Sequence, residues 1–243
     1  VGQAILFGVA ASSALVIGGV AGAYLRPPKA VTAILLAFAS GALISALALE
    51  LFGPAFETGG ALPAGLGLLA GAAVFVVVDV ALDRKVAGPE ADGRETSGAG
   101  ARQGGVGLPL LAAVTLDGVP ENAALGVSLI DEASLTLLVA IFFSNLPESL
   151  VGAVAMRDEG RSRKFAIGIW CVAALLLAVA VVAGRLALEG VDEKTLAVLL
   201  AFAGGAVLAS LADTLMPEAF EHGQPYNAFA TAAGFFLSFV LAT

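Results

Sequence analysis

Charge is what this sequence has least of. Only 13% of its 243 residues are Asp, Glu, Lys or Arg, against 59% hydrophobic, whereas an ordinary soluble domain carries about 25% charged residues. That shortage excludes a water-soluble globule with a conventional wet surface. Cysteine is nearly absent too. The single Cys171 lies inside an apolar run, which rules out a disulfide framework and a cysteine-based metal site and reads as a small buried hydrophobe. Histidine is reduced to His222, so no His-Glu-x-x-His hydrolase signature can be written. Positive charge is the minority sign: the net charge of −8 gives no reason to expect a nucleic-acid partner.

What the chain does have is long apolar runs. A helix needs roughly twenty mostly apolar residues to cross the hydrocarbon core. That rule predicts an all-α, polytopic membrane protein of eight transmembrane helices, near 2–24, 31–52, 62–82, 107–129, 134–156, 165–187, 194–216 and 226–242. The first run exceeds the apolar stretch of a signal peptide and lacks a basic start, so it is expected to be a retained helix. The joints are marked by Arg26-Pro27-Pro28-Lys29, Gly53-Pro54, Asp131-Glu132 and the charged run from Arg157 to Lys164. Residues 1–243 form a single transmembrane domain, interrupted by one long Gly-, Ala- and charge-rich connection, 83–106, expected to be a flexible cytoplasmic loop. His222 falls in the loop after the seventh span, and Phe235, Phe236 and Phe239 read as lipid-facing or packing groups.

Basic residues set the orientation. Arg26, Lys29, Arg84, Lys85, Arg94, Arg102, Arg157, Arg161, Arg163 and Lys164 fall on one side, and only Arg185 and Lys194 on the other. The positive-inside rule makes the first side cytoplasmic and leaves both termini extracytoplasmic, as in a multi-pass protein of the cell membrane.

The chain also repeats itself. Residues 37–59 align without gaps to 201–223, with about half the positions identical and a shared Ala-Phe-Glu-x-Gly ending. These are the second and seventh spans, which cross in opposite directions. Inverted repeats of this kind build the two alternating faces of many secondary transporters around a central site.

Chemistry concentrates in the fourth and fifth spans. One contains Thr115-Leu-Asp117-Gly-Val-Pro120-Glu121-Asn122, the other Ser144-Asn145-Leu-Pro147-Glu148-Ser149. Ionisable residues at that depth are expensive and usually face a partner or a wet path. Asp117 and Glu121 are four apart and share a helical face, as do Ser144 and Glu148, with Asn145 close to the latter. Each proline removes one backbone hydrogen bond, freeing the carbonyl of Leu116 or Phe143 and bending its helix. Carboxylates beside freed carbonyls suit a cation. Glu50 and Asp213, in the repeated helices, are either waypoints on a transport path, with Asn122 and His222, or residues facing headgroup water. Asp79 is expected at the interface.

On these motifs the chain resembles the ZIP family of divalent-metal transporters, whose fourth helix carries His-Asn-x-Pro-Glu-Gly and whose fifth carries a similar Pro-Glu-Gly. The resemblance runs over essentially the whole chain and implies eight spans in a 3+2+3 inverted-repeat arrangement, and import of a divalent cation into the cytoplasm. Carried over by position, Asp117 stands at the family's His, Gly118 at its Asn, Glu121 keeps the Glu and Asn122 replaces the Gly. Two bridging Glu residues make a binuclear centre in typical members. Here the preferred expectation is one oxygen-lined site of Asp117, Glu121, Asn145 and Glu148. Losing the His shifts the expected cargo from zinc toward manganese or ferrous iron, with cadmium as a further candidate. No enzyme activity and no resident cofactor beyond the transported ion are expected; the partners are the ion and the bilayer, and a homodimer is allowed. The alternative function is a non-transporting metal sensor or scaffold of the same fold, and a transporter of an organic solute also stays open.

Overall fold

In a bilayer every backbone N–H and C=O must be satisfied within the protein, which leaves helices or closed barrels. This chain takes the first solution: it is all-helical, 90% helix, with no strand among the described residues. The computed structural model describes residues 1–87, 108–130 and 134–242, with side chains for all of these except 82–87, 108–113, 116 and 117.

The helices are α1 (Gly2–Tyr24), α2 (Lys29–Ala46), α3 (Gly53–Gly59), α4 (Ala61–Ala87), α5 (Leu108–Ser128), α6 (Leu135–Asp158), α7 (Arg163–Ala187), α8 (Glu193–Ser210), α9 (Met216–Gly223) and α10 (Asn227–Ala242). Two π-helical turns, Leu47–Phe52 and Leu211–Leu215, join α2 to α3 and α8 to α9. Each triplet is one continuous rod, Lys29–Gly59 or Glu193–Gly223. Among the described residues six rods are long and apolar enough to cross a membrane, and the chain is membrane-embedded on that ground. Helix α5 carries Asp117 and Glu121 in its interior, and α10 has 16 residues, roughly 24 Å of helix. Large side chains such as Leu62, Leu66 and Leu69 on α4 and Phe229 and Phe236 on α10 lie exposed, as lipid-facing surfaces require.

Several sequence expectations change. Gly53-Pro54 is no joint: the helix runs on to Gly59, and the chain reverses at Gly60, whose φ of 82° suits a residue without a side chain. His222 lies in the last turn of α9 rather than in a loop, because its rod also continues past a proline. Residues 83–87, placed in the long loop, are helical; the rest of that loop and the Asp131-Glu132 joint lie outside the described residues. Cys171 is exposed, not buried, since it sits on an outward face of α7. A thiol is apolar enough to tolerate lipid there.

The packing depends on close backbone approach. Helix α1 lies against α6 and α7, α2 against α10, α4 against α8, and α5 against α7; between the two long rods, α2 meets α9 and α3 meets α8. Small residues open these contacts. A Cβ on Gly41 would strike the carbonyl of Thr231, and one on Gly234 that of Phe38. The same happens between Gly205 and the carbonyl of Leu68, and between Gly71 and that of Phe202. Gly41 and Gly205 occupy matching positions of the 37–59/201–223 repeat, and so do Phe38 and Phe202. A third pair joins Gly22 to the carbonyl of Leu150 and Gly184 to that of Ala123, each carbonyl three residues after its Pro. Around these seams a core of Leu36, Leu43, Leu51, Leu125, Ile141 and Leu211 is fully buried.

Ser134, Ser162 and Asp192 cap α6, α7 and α8 by accepting from Leu137 N (3.0 Å), Phe165 N (3.2 Å) and Thr195 N (3.0 Å). The Thr195 hydroxyl and then its amide hold the Asp192 carboxyl below the usual carboxylate range.

The seams predict a sharp contrast between glycines. Gly41→Val and Gly205→Val should each destabilise the purified protein by about 3 kcal/mol or more, since backbone cannot move aside as a side chain can. Gly65→Ala, with open space at its Cβ, should raise stability by about 0.5–1 kcal/mol. Melting curves in detergent, scored by the monodisperse fraction, check the ordering.

Candidate metal site

Each Pro-Glu motif sits mid-helix, Pro120 inside α5 and Pro147 inside α6. Helical geometry then decides which neighbour each polar side chain meets. On α5, Gly118, Asn122 and Gly126 fall four apart on one row. A Cβ on Gly118 would meet Leu177, and one on Gly126 the carbonyl of Val181, so this row faces α7. On α6, Asn145 and Ser149 form the matching row. Asn145 Nδ2 donates to the carbonyl of Ala11 at 3.5 Å, and Ser149 Oγ reaches that of Ala14 at 3.4 Å, so this row faces α1.

The two motifs share a further device. The residue after each glutamate bonds back one turn: Asn122 Nδ2 donates to Gly118 O at 2.8 Å, and Ser149 Oγ to Asn145 O at 2.7 Å. Back-bonding of this kind favours a helix bend, and here it sits next to a helix-interior proline. Ser144 Oγ donates to Ile141 O at 3.0 Å. The polar set is deeply placed: Asn122, Ser144, Asn145 and Ser149 are buried, Glu121 is 9% exposed, and Glu148 is half-buried. Glu121, Glu148 and Asp213 each have an interacting partner. The side chain of Asp117 lies outside the described residues.

Helices α5 and α6 touch each other only slightly. Among the described residues no cluster of three or more His, Cys, Asp or Glu side chains stands close enough to hold a metal ion. Asp117 and the amide of Asn145 fall outside that count, one undescribed and the other of a different residue type. Asn145 has one amide hydrogen bond committed to α1, which leaves its carbonyl oxygen as the atom suited to a cation.

Sequence reasoning missed the π-turns. Leu47 and Leu211, where they begin, are matched positions of the repeat. In each, a backbone N–H donates five residues back, Gly53 to Ala48 O and Met216 to Leu211 O. Such wide turns inside α-helices frequently mark functional sites. Glu50 lies in the first and Asp213 in the second, so both sit inside a continuous rod. The available signal was the proline just after each turn, Pro54 and Pro217. Four buried oxygens were also invisible beforehand: Ser12 Oγ, Ser45 Oγ, Asn122 Oδ1 and Ser238 Oγ lack a hydrogen-bond partner among the described residues. Among the described residues His222 pairs with its neighbour, its Nδ1 lying 3.9 Å from the Glu221 carboxylate.

In sequence comparisons no protein-family model matches the chain, and no curated protein matches it.

The back-bonds can be weighed separately. Ser149→Ala is expected to lower stability by about 1 kcal/mol, because a buried hydroxyl among three carbonyls is lost. Asn122→Ser keeps a back-bonding group and removes the unpartnered amide oxygen, so its melting temperature in detergent should hold or rise. A fall as large as that of Ser149→Ala would mean the amide oxygen has a partner.

Proposed function

We propose that this chain is a divergent ZIP-like transporter that carries a divalent cation into the cytoplasm, through eight spans in a 3+2+3 inverted arrangement. The observation that carries this reading is the pair of Pro-Glu motifs on α5 and α6 in a chain whose contacts occur in matched pairs. Glycine seams at Gly41 and Gly205 and π-turns at Leu47 and Leu211 recur at the same places of the sequence repeat, and Gly22 and Gly184 approach the same point of each Pro-Glu helix. On this reading α5 and α10 are the two remaining spans. The basic residues put the α6–α7 turn in the cytoplasm.

The ion binds between Asp117, Glu121 and Glu148, with the Asn145 carbonyl oxygen as a fourth donor. Three carboxylates and an amide make an all-oxygen shell, which suits manganese or ferrous iron better than zinc, whose sites favour nitrogen and sulfur. Helix α6 is anchored on α1 and α2, and α5 on α7 and α8, so the two sides of the site ride on different helix groups. Rocking of one group against the other opens the site alternately to each side.

Uptake by proteoliposomes tests this. Manganese and ferrous iron should enter faster than zinc, and Glu121→Gln and Glu148→Gln should each cut uptake by at least about tenfold. Rates equal to the unaltered protein would favour a non-transporting sensor or scaffold. Asp117→His adds an imidazole and should move the preference toward zinc; an unchanged metal order would remove Asp117 from the ligand set.

A further inference from the structure

The chain is acidic overall, with a net charge of −8, yet the surface around the end of α1 and the α6–α7 turn is not. Arg26 follows α1, Arg157 closes α6, and Arg161, Arg163 and Lys164 surround the start of α7, against Asp158 and Glu159 as the local carboxylates. Contacts tie these groups into one patch. Arg26 Nη2 lies 3.3 Å from Asp158 Oδ1, Arg157 Nη1 donates to Arg161 O at 2.7 Å, the Arg163 guanidinium lies 4.8 Å from the centre of the Tyr24 ring, and that of Arg161 lies 5.3 Å from the centre of Phe165. Among the described residues no carboxylate forms an ion pair with Arg161, Arg163 or Lys164.

We infer that this patch binds the phosphate headgroups of anionic phospholipids in the leaflet at the α6–α7 turn. Tyr24 and Phe165 are exposed at the ends of apolar helices, the level at which aromatic side chains meet headgroups. A guanidinium lying on a ring keeps its N–H edge for other partners, and that edge matches a phosphate in two-point contact. The start of α7 adds the positive end of its helix dipole. The Arg26–Asp158 pair is open to solvent on both sides, so it competes weakly with a lipid. Lipid phosphates are also the anions nearest to a patch at the ends of membrane helices, and each basic residue near an anionic surface contributes attraction. The inference rests on the apolar helices lying in a bilayer and not on the movement of metal.

The test offers the purified full chain in detergent a mixture of phosphatidylglycerol and phosphatidylcholine and counts retained lipids by native mass spectrometry. Phosphatidylglycerol should be retained preferentially. The double variant Arg161→Gln/Arg163→Gln should lose that preference by roughly fivefold per charge removed, Asp158→Asn should strengthen it, and Lys194→Gln, at the opposite end of the bundle, should leave it unchanged. Equal preference in the double variant and the unaltered chain overturns the inference. So does an equal fall in Lys194→Gln, which would mean diffuse attraction, or displacement of the lipid by inorganic phosphate, which would mean a site for a free anion. Should the double variant fail to fold, the unaltered chain decides: added salt must release phosphatidylglycerol before phosphatidylcholine, and equal release rejects the site. A chain that moved no metal would leave every one of these outcomes unchanged.

Discussion

Backbone against backbone is the contact on which this bundle depends. Lipid tails are as apolar as leucine, so helices in a bilayer are not driven together by the removal of water and must gain from packing itself. The glycines supply that packing where it matters. Gly41 and Gly234 bring α2 and α10 together, Gly71 and Gly205 bring α4 and α8 together, and Gly22 and Gly184 seat the Pro-Glu helices on α1 and α7. The last pair approaches carbonyls three residues beyond Pro147 and Pro120. The contacts that hold the bundle therefore also fix the two acidic motifs.

Bent helices usually lose hydrogen bonds, and an apolar surrounding makes that costly. Here polar side chains and wide turns gather beside the prolines, although the back-bonds reach the carbonyls of Gly118 and Asn145 and not those of Leu116 and Phe143 that the prolines free. Asn122 and Ser149 bond back one turn beside Pro120 and Pro147, and the long rods widen into π-turns before Pro54 and Pro217, with amides donating five residues back. Four features that could each have broken a helix leave it continuous, two by widening it into a π-turn. They occur where Glu50, Glu121, Glu148 and Asp213 are held. Irregular backbone at membrane depth is tolerated where it is enclosed by protein or lines a wet path, and here the irregular turns coincide with acidic residues.

The course of α1 and the extent of α7 were legible in the sequence because the length of an apolar run and the charges that bound it are both local quantities. The repeat was equally plain. What could not be seen was the outcome at Gly53-Pro54. A proline ordinarily closes a helix, yet it is tolerated in the first helical turn, and a π-turn just before it lets the rod continue; the same physics carried His222 into α9. The acidic motifs were visible as residues but not as surfaces. Spacing places Asn145 and Ser149 on one row, and only the neighbouring helix decides that this row meets Ala11 and Ala14 of α1. Cys171 failed for the same reason, since an apolar run does not declare which of its faces looks outward.

The slight contact between α5 and α6 bears on how an ion would be released. Two glutamates locked on one rigid interface would hold a cation in a fixed shell, and fixed shells bind tightly and let go slowly. In this bundle α6 leans on α1 and α2, while α5 leans on α7 and α8. The groups meet along α1 and α7 and along the two long rods. Separation of Glu121 from Glu148 would then need no change inside either motif, because each motif packs on its own group. On the proposed reading, the same looseness that keeps α5 and α6 apart is what allows a site of three carboxylates to release its ion.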